Sequence, residues 1–185
     1  MIPKNLLILG STGSIGKSTL DVVDAHPDKF RIRGLAAFSN VALLAEQCKK
    51  YKPEAVCLVD ESKADDLKAA LKGEEVQLLF GEQEIVKFAA FPFVDIVVNA
   101  IVGAAGLLAS YETVRIGRTL AVANKESLVC GGPIFPELAR QTGAKILPID
   151  SEHSAIWQSA MSGKESEIRN IILTASGGPF RTTPK

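Results

Sequence analysis

Apolar positions along this chain fall into short continuous runs separated by longer segments of helical period. The runs predict strands at residues 6–9, 30–38, 55–59, 76–80, 94–100, 119–123 and 145–149. The periodic segments predict helices from residue 15 to about 26, where Pro27 stops the chain, and over 41–51, closed by Pro53. Further helices are predicted at 62–71, 107–116 and 127–141, the last interrupted by glycines. Strands that are apolar throughout have no solvent-facing side. Alternating with helices, they imply an α/β fold with a doubly wound, mostly parallel sheet covered on both faces. After residue 149 the rhythm changes: a helix at 153–161 and a strand at 168–174 read as the opening of a second domain.

Composition narrows the partners. The chain has 185 residues, 46% hydrophobic and 23% charged, with 21 basic against 21 acidic side chains. That is ordinary for a globular protein, and the balanced charge leaves no basic patch for nucleic acid or a membrane surface. The apolar run at residues 6–9 is too short for a signal segment or a membrane span. Cys48, Cys57 and Cys130 are odd in number and lack CxxC spacing, so neither a disulfide framework nor a zinc site is expected and a reducing cytoplasm is the default.

The stretch LILGSTGSIGKS, residues 7–18, admits two nucleotide chemistries. A Walker A loop needs a glycine five residues before Gly16-Lys17-Ser18, but residue 11 is serine and Gly10 comes one position early. In a loop whose N–H groups must converge on phosphate, one extra residue matters. The dinucleotide reading fits better. Gly10 ends a strand and allows a tight turn, Gly13 lets the backbone approach a pyrophosphate, and Gly16 lets the new helix pack close to the sheet. The helix N-terminus then faces the phosphates. The spacing is GxxGxxG, a variant of the usual fingerprint, so a plain strand–helix turn stays open on this stretch alone. With it, the sheet reads as Rossmann-like. An acid at the end of the second strand would mark NAD. Residues 36–40, AAFSN, contain none, which favours NADP, although no Arg or Lys lies there either.

Two more polar stretches follow predicted strands. In ANKESLV, residues 123–129, Lys125 opens a helix against its macrodipole, which hints at an anionic or hydroxylated ligand rather than a simple cap. In PIDSEHSA, residues 148–155, Asp150 and Glu152 bracket a serine. In extended chain, residues i and i+2 point to one side, and two carboxylates suit Mg²⁺ or Mn²⁺. An N-capping serine with acids in the first helical turn is the competing reading. His153 reads as a packing residue or a support for a ligand. The glycine-rich turn ASGGPFR, residues 175–181, suits close backbone approach to a ligand or a bare loop.

In order, GSTGSIG, ANKESLV, DSEHSA and SGGPFR resemble the 1-deoxy-D-xylulose 5-phosphate reductoisomerase family over the whole chain. Its enzymes are roughly twice this length, so the resemblance implies an N-terminal half: residues 1–149 as an NADPH-binding domain and 150–185 as the start of an α/β catalytic domain. It implies that Thr12, Gly13, Ser14 and Ile15 meet the NADPH phosphates, with Phe38, Ser39 and Asn40 near the adenosine ribose phosphate. Some members carry a lysine where this chain has Ser39. Asn124 and Glu126 match cofactor contacts. Lys125, Ser151, Glu152 and Ser176 match substrate contacts, and Asp150 and Glu152 match metal ligands.

The implied chemistry is a metal-assisted rearrangement of 1-deoxy-D-xylulose 5-phosphate. Hydride transfer from NADPH follows, giving 2-C-methyl-D-erythritol 4-phosphate in the non-mevalonate isoprenoid pathway. The implied assembly is a cytoplasmic homodimer when full length. Residues 1–185 by themselves are expected to bind dinucleotide without turnover. The alternatives left by the residues are a P-loop nucleotide hydrolase and a non-catalytic dinucleotide-binding module.

Overall fold

The structure, a computed structural model, describes residues 2–123 and 125–173. Seven strands, β1 (Lys4–Leu9), β2 (Phe30–Ala37), β3 (Ala55–Leu58), β4 (Gln77–Phe80), β5 (Ile96–Asn99), β6 (Thr119–Val122) and β7 (Ile146–Pro148), form one sheet in the order β4-β3-β2-β1-β5-β6-β7. The pairings of β1 through β6 are parallel. The strand order reverses direction beside β1, so the turns after β1 and β5 lie side by side. That is the position at which open α/β sheets bind ligands.

The described residues form eight α-helices, seven between the strands and the last after β7: α1 (Ser14–Ala25), α2 (Val41–Tyr51), α3 (Ala64–Ala70), α4 (Glu82–Phe88), α5 (Leu107–Arg115), α6 (Lys125–Gly131), α7 (Ile134–Thr142) and α8 (Ser151–Ala160). The chain divides into a larger unit, Met1–Leu147, and a smaller one, Pro148–Lys185. Among the described residues no helix is long and apolar enough to cross a membrane.

Burial explains the strand composition. Leu7, Ile8 and Leu9 of β1 and Ala55 to Leu58 of β3 are fully buried, as expected for strands covered on both faces. One core cluster packs Leu7, Leu9, Ala36, Cys57 and Val97 against Ile85 and Phe88 of α4. Gly34 in β2 makes room for it: a Cβ there would come within 2.6 Å of the Phe88 ring and the Leu7 side chain. A second cluster joins Val114, Leu120, Val122 and Phe135.

Two expectations from the sequence are corrected, and one helix is added. Helix α4 was not anticipated. The single glycine-interrupted helix at 127–141 is two helices, because Gly132 takes a positive φ of 45° and Pro133 follows it. Residues 168–173 form no strand, since they find no ladder partner among the described residues; Thr174 lies outside them.

Candidate functional site

Six parallel strands, β1 to β6, put their carboxyl ends on one edge of the larger unit, and the glycine turn lies at the centre of that edge. Gly10 has φ +86°, and a Cβ on it would stand 2.8 Å from the Ala100 carbonyl oxygen, so the turns after β1 and β5 touch through backbone. A Cβ on Gly16 would collide with the backbone of Gly10 and Ser11. These are the roles expected of the first and third glycines. Gly13 is different: a Cβ there would meet only Gly10 O, at 3.4 Å. It is the N-cap of α1, exposed, with no side chain to satisfy the first-turn N–H groups and no acid in that turn. A 12-residue helix therefore presents uncapped donors and the positive end of its dipole at the crevice, beside half-buried Thr12 and exposed Ser14 and Ile15.

Ser11, which rules out the Walker A spacing, is fully buried. Its hydroxyl donates to Gln47 Oε1 at 2.7 Å, and Gln47 Nε2 donates back to the Ser11 carbonyl at 3.0 Å. This pair was not foreseen. The available signal was a glutamine on the buried stripe of α2, between Leu44 and Cys48.

The end of β2 follows the turn closely. Gly10 and Ser11 N–H both donate to Ala36 O, at 2.9 and 2.8 Å. Beyond it Phe38 is 69% exposed, Ser39 half-buried, and Asn40 caps α2 by accepting from Leu43 N–H at 3.2 Å. At the end of β6, Lys125 and Glu126 are exposed on the first turn of α6. Asn124 lies outside the described residues.

A buried residue that sequence reasoning missed holds the β5 end. Asn99 Nδ2 donates to Gly106 O and to Ser110 Oγ, each at 2.8 Å, and its Oδ1 accepts from Ile101 N–H at 3.2 Å. Asn99→Leu is expected to cost about 2–4 kcal/mol in thermal or denaturant unfolding, because it strands buried donors and acceptors rather than removing one bond.

In the smaller unit, α8 begins at Ser151, so the segment holding Asp150 and Glu152 is not extended and the same-side argument from strand geometry does not apply. The acid caps the helix, not the serine. Asp150 Oδ2 accepts from His153 N–H at 3.0 Å and lies 2.8 Å from His153 Nδ1. Its other oxygen, Oδ1, is buried without a hydrogen-bond partner. Burial pushes the Asp150 carboxyl upward, but the His153 backbone and ring outweigh it and hold the group below its ordinary range. A buried, ionised, unsatisfied carboxylate oxygen is the kind of donor a hard divalent cation takes, and the His153 contacts fix its orientation.

The Ser151 hydroxyl donates to Glu152 Oε2 at 2.9 Å. An open groove of about 990 Å³ starts at Ser151 and Glu152 and runs past Ile156, Arg169 and Leu173. Among the described residues no three His, Cys, Asp or Glu side chains gather; Ser176 lies outside them.

Comparison with known proteins matches this architecture. The family model of 1-deoxy-D-xylulose 5-phosphate reductoisomerase matches residues 6–132, and that of the family's C-terminal domain matches 146–185. The chloroplastic 1-deoxy-D-xylulose 5-phosphate reductoisomerase of Mentha piperita is 50% identical over 98% of this chain and 39% of its own length. The enzyme of Trichlorobacter lovleyi is 49% identical over 98% and 46%. Among solved structures, the Zymomonas mobilis enzyme in complex with NADPH superposes with a TM-score of 0.88 at 41% identity, over 98% of this chain and 48% of that one. A reductoisomerase complexed with NADPH, fosmidomycin and magnesium gives a TM-score of 0.87 at 38% identity, over 98% and 47%. The chain thus spans about half the length of the relatives it matches. On the glycine turn, the sheet that carries it and these matches along almost every residue, the chain belongs to the 1-deoxy-D-xylulose 5-phosphate reductoisomerase family.

Proposed function

We propose that this chain is the dinucleotide-binding and metal-anchoring half of an NADPH- and divalent-metal-dependent reductoisomerase. Its reaction is the conversion of 1-deoxy-D-xylulose 5-phosphate to 2-C-methyl-D-erythritol 4-phosphate. The observation that carries the reading is the uncapped, acid-free N-terminus of α1, set behind Gly13 at the point where the strand order reverses. Support for the cofactors comes from relatives solved with NADPH and with magnesium, and for a sugar-phosphate-like ligand from one solved with fosmidomycin.

When bound, NADPH supplies a hydride and Mg²⁺ or Mn²⁺ polarises a carbonyl as a Lewis acid. This chain's residues do the positioning. Thr12, Gly13, Ser14 and Ile15 hold the dinucleotide phosphates with backbone donors, and Phe38, Ser39 and Asn40 flank the adenosine ribose. Gly10 sets the turn, and Asn124 and Glu126 contact the cofactor. Asp150 and Glu152 hold the cation, and Lys125, Ser151, Glu152 and Ser176 bind the substrate's oxygens. Residues 1–149 form the cofactor domain and 150–185 open the catalytic one. The protein works as a homodimer on a small sugar phosphate, without nucleic acid or membrane. Its free cysteines suit a reducing cytoplasm.

Oxidation of NADPH on adding 1-deoxy-D-xylulose 5-phosphate to the full-length protein, with Mg²⁺ or Mn²⁺ and then with a chelator, tests this. Substrate-dependent oxidation that stops on chelation is expected, and its absence with both metals overturns the reading. Cofactor choice gives a second expected result. NADPH binds more tightly than NADH, and Ser39→Asp reverses the order by about 10–100-fold, through repulsion of the 2′-phosphate and a new bond to the ribose hydroxyl. Titration of both cofactors checks it, and equal affinities of the unmodified protein count against it.

A further inference from the structure

Residues 36–40 hold neither the acid that would read a ribose hydroxyl nor a cation that would hold a phosphate. The fold brings one from the next connection. The β2 and β3 ends are laced by backbone: Val59 N–H donates to Ala37 O at 3.1 Å and Asp60 N–H to Phe38 O at 2.8 Å. A short 3₁₀ helix, Glu61–Lys63, then turns back over the end of β2. Lys63 Nζ donates to the Ser39 carbonyl oxygen at 3.2 Å, which also accepts from Val41 N–H at 3.1 Å. Resting on the dinucleotide reading given above, we propose that Lys63 selects NADPH in this chain by binding the 2′-phosphate beside Ser39.

The electrostatics favour this. An ammonium carries three donors, and the bond to Ser39 uses one. Lys63 is half-buried, so its charge is less screened than a surface lysine's. Two neighbouring acids are committed elsewhere: Asp60 Oδ1 accepts from Ser62 N–H at 3.2 Å and from its hydroxyl at 2.6 Å, and Asp65 pairs with Lys68 at 2.9 Å. Among the described residues the contact of the Lys63 ammonium is the Ser39 carbonyl, not a carboxylate. The first turn of α2, which opens at the same loop, also lacks an acid, so its dipole adds to the lysine's field. A lysine fixed to the backbone beside position 39 does the work of a basic residue within the loop itself.

NADPH and NADH differ only in the 2′-phosphate, so titrating both by the fluorescence of the bound nicotinamide isolates the effect. The full-length unmodified protein, Lys63→Met, Lys63→Gln and Lys63→Arg are compared at low and raised salt, with thermal unfolding of each. Both neutral variants are expected to weaken NADPH about 10–100-fold while NADH stays within about twofold. The salt dependence of NADPH binding should fall toward that of NADH, and Lys63→Arg should keep most of the preference. Unchanged NADPH affinity in the neutral variants, or an equal loss for both cofactors, overturns the assignment of Lys63. An unmodified protein that binds neither cofactor overturns the dinucleotide reading itself, and the assignment with it.

Discussion

Asp150→Asn is expected to lower turnover of the full-length reductoisomerase by about 100-fold or more, since even a residue supporting a metal ligand is worth about 10–100-fold. The substitution separates the observed helix cap from the proposed metal ligand. Oδ2 caps α8 through His153 N–H, while Oδ1 is buried and unsatisfied. Asparagine caps helices about as well as aspartate, so stability should change by only a few tenths of a kcal/mol, roughly. What is lost is the charge, and with it the donor a divalent cation needs. Asp150→Ala, by contrast, removes the cap too and should cost about 1 kcal/mol more. NADPH affinity should survive in both, because the proposed dinucleotide site is the turn after β1. Steady-state kinetics at varied Mg²⁺ or Mn²⁺, beside unfolding and cofactor titration of the same variants, decide the matter. Near-normal turnover of Asp150→Asn would leave the residue as a helix cap and nothing more.

The second large effect is expected at Gly16. An added methyl would strike the backbone of Gly10 and Ser11, which has no rotamer to yield. The turn must open, and Ser11 is buried and tied to Gln47 on both its hydroxyl and its carbonyl. Gly16→Ala should therefore cost about 2–3 kcal/mol, as overpacking does, and lower the unfolding temperature by roughly 5–10 °C. It should weaken NADPH about 100-fold or more, because misplaced donors no longer converge on phosphate. Gly13→Ala is the control. Its methyl meets only an ordinary contact at 3.4 Å, so stability should hold within about 0.5 kcal/mol while the phosphate approach is crowded. If both variants bind NADPH normally, the turn is only a strand–helix junction.

Much of the larger unit was legible because its signals are local. Helix α2 runs from Val41 to Tyr51 as expected, since Asn40 caps it and Pro53 lies just beyond its end. The buried strands announced themselves as apolar runs, and Gly10 and Gly16 make the close backbone approaches that their spacing assigns. Helix α4 escaped because its seven residues are too few to show a period. Ile85 and Phe88 make it a helix by packing on the sheet, not by propensity. Residues 168–173 are apolar enough for a strand, but a strand is made by its neighbour, and no described residue supplies one.

The sequence by itself determined the α/β class, the glycine turn, the absence of an acid after β2 and the pair Asp150 and Glu152, because each is written in neighbouring residues. Only the tertiary structure decided that Asp150 caps α8 with one oxygen and buries the other bare, and that Asn99 pins the loop facing Gly10. It alone set Gln47 against Ser11, 36 residues away, and Lys63 against Ser39, 24 residues away. The physical reason is range. Caps, turns and periodicity act within a few residues of chain, whereas hydrogen bonds between strand ends depend on which strands the sheet makes neighbours. A sequence read locally carries no distance between them.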